Sequence, residues 1–158
     1  MTAELRDARL GAVAKANSLY DHDFAAWVVQ TVAQLRSGDY GAVDWENLIE
    51  EIEEMGKRER RALKSNLVVL LLHLLKWQYQ PEMRCGSWRG SIVEHRQRLR
   101  DGLRESPSLQ SYLQEVWAEA YRDGRERAIA ETELEATRFP IEPPYTIEQA
   151  LDADFLPV

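Results

Sequence analysis

Three carboxylates within five residues, Glu50, Glu51 and Glu54, offer the most direct chemistry in this chain. On a helix, a Glu-Glu-x-x-Glu spacing gathers hard oxygen donors of the kind Mg²⁺ prefers. A metal-dependent hydrolase or phosphohydrolase built on such a motif needs a second carboxylate set, such as Glu-x-x-Asp, on a later helix, and none follows. A helix through this region also turns Glu50 and Glu54 away from the apolar stripe Trp45–Ile52–Met55. A structural reading competes with the metal. Residues 44–54 hold six acidic and no basic side chains, and residues 57–64 hold five basic and one acidic. Acids near the start and bases near the end of one helix suit its macrodipole, at about 0.3–1 kcal/mol each when exposed.

His73 is the second chemical candidate. It is the only polar residue between Leu67 and Leu75, and a buried imidazole must find hydrogen-bond partners. Trp77 and Gln80 follow it on the same helical face, four and seven residues on. The next link delivers Arg84, Trp88 and Arg89. His73, Trp77, Gln80, Arg84 and Trp88 could thus line a pocket for an anionic or planar ligand, with arginine as a bidentate donor, and His73 could serve a hydrolase as acid or base. The alternative is a satisfied core histidine among tryptophans that fill a bundle.

Arginine makes the third. Arg89, Arg96, Arg98, Arg100 and Arg104 fall on one helix, and Arg96, Arg100 and Arg104 could contact nucleic-acid phosphates while Trp88 stacks a base. The five spread around the helix, so solvated surface or pairing with glutamates competes. Tyr20-Asp21-His22-Asp23-Phe24 is explained by an aspartate N-cap followed by a buried Phe. Cys85 has no evident activating base. No Glu-x-x-His pair, Gly-x-Ser-x-Gly elbow or phosphate-binding glycine loop occurs. The sequence implies no catalytic residue and no cofactor.

The elements that must position these residues are helices. Apolar residues recur at three- and four-residue steps from Tyr20 to Leu35, with Gly38 beyond, and from Trp45 to Leu63, with Asp44 as N-cap. A third helix, Leu67–Trp77, is apolar on every face and ends at Pro81, which lacks a donor. A helix without a polar face must be enclosed by others, and this one is too short for a bilayer, which needs about 20 apolar residues. A fourth helix begins near Ser87 and buries Trp88, Ile92, Leu99 and Leu103. A fifth has Ser106 as cap and Pro107 at its first position, and runs to about residue 132. Beyond Pro140, Pro143 and Pro144, Thr146-Ile147-Glu148-Gln149 has the form of a capping box for one short helix.

These signals predict an all-α protein: a compact antiparallel helical bundle with a fully buried central helix around residues 65–80 and an irregular Pro-rich C-terminal segment. Residues 1–18 are expected as a loosely attached N-terminal segment, with a helix over 3–16, and residues 19–158 as a single helical domain. The chain has 158 residues, 44% hydrophobic and 30% charged, enough for a sizeable core and unlike a disordered chain. The first residues lack the basic-then-apolar pattern of a signal peptide. The lone Cys85 forms no internal disulfide, which fits a reducing, cytoplasmic location. A net charge of −7 disfavours non-specific nucleic-acid binding over the whole surface. Residues 65–104 nonetheless carry seven Lys/Arg against three Asp/Glu, so a local basic surface remains open.

Several segments, in order, resemble a known family: Tyr20-x-x-Asp23-Phe24-x-x-Trp27; Asp44 through Gly56; Leu71-Leu72-His73-Leu74-Leu75-Lys76-Trp77-Gln78-Tyr79-Gln80-Pro81; Ser87-Trp88; Ser106-Pro107-Ser108-Leu109; and Pro143-Pro144-Tyr145-Thr146. Together they resemble the bacterial family catalogued as domain of unknown function number twenty-nine, common in cyanobacteria and proteobacteria. The resemblance runs from about residue 19 to the C-terminus. It implies an all-helical, soluble, intracellular protein and brings no activity, cofactor or catalytic residue. The leading expectation is a non-catalytic helical interaction protein that acts by self-association or through a protein partner, since aromatics are abundant and are enriched at interface hot spots. Metal-dependent hydrolysis and nucleic-acid binding are the alternatives.

Overall fold

A computed structural model of the chain describes residues 18–158, and no strand occurs among them. Six α-helices follow in order: α1 (Leu19–His22), α2 (Phe24–Ser37), α3 (Trp45–Tyr79), α4 (Gly86–Glu105), α5 (Leu109–Thr132) and α6 (Ile147–Leu151). Short 3₁₀ turns at Tyr40–Ala42, Pro81–Met83 and Ala136–Arg138 sit in the connections. The chain forms two compact units, one ending at Met55 and the other spanning Gly56–Val158. The expected helix over 3–16 lies outside the described residues.

In the first unit, the run from Tyr20 to Leu35 is two helices. Asp23 leaves helical geometry (φ −149°) and its carboxylate accepts the Ala26 N–H at 2.9 Å, which restarts the chain as α2. Capping by Asp23 agrees with the sequence, but the buried Phe does not: Phe24 is 50% exposed. Trp27 takes the interior position, edge-on to Tyr20 with ring centres 4.9 Å apart and stacked on Phe24 at 5.5 Å. Gly38 ends α2 at φ 77°, a left-handed conformation that favours glycine. Asp44 then caps α3, accepting the Asn47 backbone N–H at 3.3 Å and its side-chain amide at 2.6 Å.

The periodicity from Trp45 to Leu63 and the apolar segment 67–77 were expected as separate helices. They form one helix of 35 residues. Residues 57–66 contain neither proline nor glycine and are mostly strong helix formers, so nothing there stops the ladder. The lone Gly56 costs about 1 kcal/mol, too little to break a helix anchored by tertiary contacts. The basic cluster 57–64 therefore lies mid-helix, and the macrodipole accounts only for the acids in the first turns.

In the second unit, α3 supplies the buried centre that its sequence predicts. Leu67, Leu70, Leu71, Leu74 and Leu75 have no solvent exposure, and Ile92, Leu99, Leu113, Ala120, Ala128 and Phe139 join them. α4 returns antiparallel to α3: Lys76 lies against Trp88, and His95 Nδ1 donates to the Asn66 side-chain oxygen at 2.8 Å. α5 then runs parallel to α3. Arg60 lies over the Tyr112 ring, Lys64 pairs with Glu119 at 2.7 Å and Asp123 at 3.3 Å, and Lys76 pairs with Glu131 at 2.6 Å. Between these ties sits Gly124. A Cβ there would lie 3.1 Å from the Val68 carbonyl oxygen, 3.2 Å from the Leu72 nitrogen and 3.3 Å from Leu71 Cβ.

The start of α5 differs from expectation. Ser106 and Pro107 form a turn, with the Leu109 N–H donating to the Ser106 carbonyl at 3.0 Å, and the helix begins two residues later at Leu109. The Pro-rich segment beyond α5 returns along the core. Tyr121 donates to the Pro140 carbonyl at 2.7 Å, and Tyr145 donates to Gln78 Oε1 at 2.6 Å. Burial pushes the Tyr121 hydroxyl up to about 12. The capping box around α6 is present, with Thr146 and Gln149 each bonding the other's backbone N–H.

The contact at Gly124 yields a paired prediction. Gly124→Ala must separate two backbones and should destabilise the protein by about 1–3 kcal/mol, as overpacking does. Gly90→Ala, on an open face of α4, should instead stabilise it by about 0.5–1 kcal/mol. Denaturant midpoints with unchanged slopes check both.

Candidate functional site

The three metal candidates occupy the first turns of α3 and do not converge. The Glu51 carboxylate accepts the Tyr20 hydroxyl at 2.7 Å, tying α3 to α1 within the first unit. That bond leads the causes that push the Tyr20 hydroxyl up to about 12. Glu50 is exposed and Glu54 half-buried. Among the described residues, no three His, Cys, Asp or Glu side chains gather into a group able to hold a metal ion.

The His73 stripe is divided among separate tasks. The His73 Nδ1–H donates to the Val69 carbonyl one turn back, at 2.8 Å, which directs the ring along its own helix. Arg84 folds over Trp77: its Nε–H donates to the Trp77 carbonyl at 2.7 Å and its guanidinium carbon lies 5.1 Å from the ring centre. Trp88 is covered by the Lys76 ammonium, 4.4 Å from its ring centre. Lys76 is itself 7% exposed, and its pairing with Glu131 leaves that charge satisfied where it is buried. Gln80 is half-buried just past the end of α3.

Arg96, Arg100 and Arg104 share a wall of α4, at steps of four, and line a cavity of about 300 Å³ with Val93, Gln97, Asp101 and Ala153. The three make one stripe, although the five arginines of the helix do not. Their roles differ. Arg96 is 3% exposed, and its guanidinium donates to three backbone carbonyls: Ala150 at 2.8 Å, Ala153 at 3.2 Å and Phe155 at 2.9 Å. Burial lowers its pKa, opposed by Asp152 and Asp154 nearby. Arg104 pairs with Asp101 at 2.8 Å. Of the three, Arg100 alone presents an exposed guanidinium without a partner among the described residues. One such group does not make a phosphate track.

Cys85 stands exposed at the N-cap of α4, its sulfur 3.2 Å from the Ser87 hydroxyl. That hydrogen bond first, and the backbone N–H groups of Trp88 and Ser87 with it, hold the thiol below its ordinary range. No side-chain base stands beside Cys85 in the sequence; the hydroxyl and backbone N–H groups at the start of α4, the helix expected near Ser87, act on the thiol instead.

The first unit also carries an apolar surface. Ten of the fourteen large apolar side chains exposed among the described residues lie between Leu19 and Met55. On α3, Trp45, Ile49, Ile52 and Met55 form a stripe that is 46–61% exposed. On α2, Phe24, Val28 and Val32 form another, at steps of four. Periodicity alone reads such stripes as core. Residues 18–55 also contain nine acidic side chains against one arginine, so these stripes lie in an acidic unit. Trp27, in the same unit, has a buried indole N–H without an acceptor among the described residues and borders a cavity of about 150 Å³ lined also by Gln30, Thr31, Gln34 and Asp44.

Two outcomes are expected. Arg96→Leu strips three carbonyls of their donor and should cost about 3 kcal/mol, with protease cleavage appearing first beyond Ala150. Ser87→Ala should raise the Cys85 pKa, so alkylation by iodoacetamide at pH 7.5 slows and its pH profile moves upward. An unchanged profile would remove Ser87 as the cause.

No helix among the described residues is long and apolar enough to cross a membrane. A search of curated proteins and a search of solved structures find no match. The family described as Domain of unknown function DUF29 matches residues 19–156, which spans every described helix and both units. The chain belongs to that family.

Proposed function

We propose that this protein is a non-catalytic, cytoplasmic helical interaction protein that associates with another polypeptide through its first unit. The observation that carries the reading is the pair of exposed apolar stripes on α2 and α3. Contiguous apolar surface on a folded protein is costly in water and marks sites of association. Tryptophan and isoleucine at the centre of such a surface supply the buried anchors that dominate binding energy. The candidate chemistry elsewhere supports the same reading: the glutamates diverge, His73 is bonded to its own helix, and the arginine wall is largely paired.

The test uses Ile49→Ser together with Ile52→Ser. Both positions are exposed, so far-ultraviolet circular dichroism should match the wild type and the melting temperature should change by only about 2 °C. Light scattering and affinity capture from a native host should show association by the wild type and its loss in the variant. A wild type that is strictly monomeric and recovers the same set of proteins as the variant overturns the proposal.

A further inference from the structure

The α3 stripe has a border that selects its partner. Trp45, Ile49 and Ile52 are each followed immediately by a glutamate, Glu46, Glu50 and Glu53, so one edge of the stripe is lined with carboxylates. At 1.5 Å per residue the stripe from Trp45 to Met55 runs about 15 Å, three turns of helix. An apolar strip of that length suits the apolar face of one amphipathic helix lying alongside. Resting on the interaction reading above, we infer that the occupant of this surface is a basic amphipathic helix of a partner protein. Its leucine-type residues would cover Ile49 and Ile52, and its Lys or Arg side chains would face Glu46, Glu50 and Glu53.

Charge decides between this occupant and a second copy of the chain. A second copy docking by the same stripe would set the nine-acid unit of one molecule against that of another. Like charges flanking an apolar seam oppose pairing, and opposite charges specify it. The basic residues 57–64 of a second copy are already engaged: Arg60 lies over Tyr112, Lys64 is held by Glu119 and Asp123, and Lys57, Arg58 and Arg61 have contacts of their own. A partner with its own basic face meets both requirements, apolar cover and charge balance.

The experiment measures fluorescence anisotropy on the full chain with three labelled synthetic peptides of about sixteen residues. The first contains Leu and Lys with leucine at helical spacing, the second is a scrambled Leu/Lys sequence, and the third is a Leu/Glu sequence with the helical pattern. The patterned Leu/Lys peptide should bind at least about tenfold more tightly than either control and weaken as salt is raised. Ile49→Ser with Ile52→Ser, and separately Glu50→Lys with Glu53→Lys, should each weaken it by about tenfold while circular dichroism stays unchanged. Equal binding of patterned and scrambled Leu/Lys peptides, or of the Leu/Glu peptide, overturns the inference. So does undiminished binding by either variant. If no peptide binds but the isoleucine variant still loses its associate in the capture experiment, the basic helix falls and the interaction surface stands.

Discussion

The close approach of α5 to α3 at Gly124 governs how the second unit is built. With only a hydrogen in place of a side chain, the backbone of α5 settles within van der Waals distance of Val68 and Leu72. That contact turns Leu113, Val116, Ala120, Tyr121 and Ala128 onto the leucine face of α3. It also sets the axial register, so Lys64 meets Glu119 and Asp123 toward one end and Lys76 meets Glu131 toward the other. Interiors at crystal-like density tolerate little change in such spacing. The leucine run needs enclosure, and this contact brings α5 close enough to supply part of it.

Polar groups in this core are met by partners rather than avoided. Lys76 lies among leucines yet has a carboxylate on its ammonium and an indole face beneath it. Arg96 enters the core without a carboxylate in ion-pair contact among the described residues and is held by the open carbonyls of the C-terminal segment, with Asp152 and Asp154 farther off. That segment has little regular structure to satisfy its own backbone, so a guanidinium with several donors in a fixed fork takes the place of a ladder. Tyr145 performs a related service where it reaches Gln78 on α3.

Much of this was legible in residue order. Leu67–Leu75 could only be an enclosed helix, Asp23 and Asp44 announced helix starts, and the Thr146–Gln149 box formed as written. Three things were hidden, each for a physical reason. The continuity of α3 was masked because Gly56 and the change from acidic to basic composition look like a boundary, while helix propensity across 57–66 is a quiet signal. The burial of Arg96 depended on carbonyls more than fifty residues away, which no local pattern encodes. The exposure of Trp45, Ile49 and Ile52 was masked because an apolar stripe has the same period whether its cover is internal or external. The candidate site was therefore readable as residues but not as a surface.

The Arg96 clamp has a consequence for the order in which the chain matures. The cation lies on α4, but its acceptors at Ala150, Ala153 and Phe155 are the last part of the core to be translated. On the ribosome, α3, α4 and α5 emerge while this guanidinium still lacks its carbonyls and must keep its water. Dehydration of that corner then waits for Ala150, Ala153 and Phe155 to emerge, which makes closure of the second unit a step that follows the appearance of α3, α4 and α5.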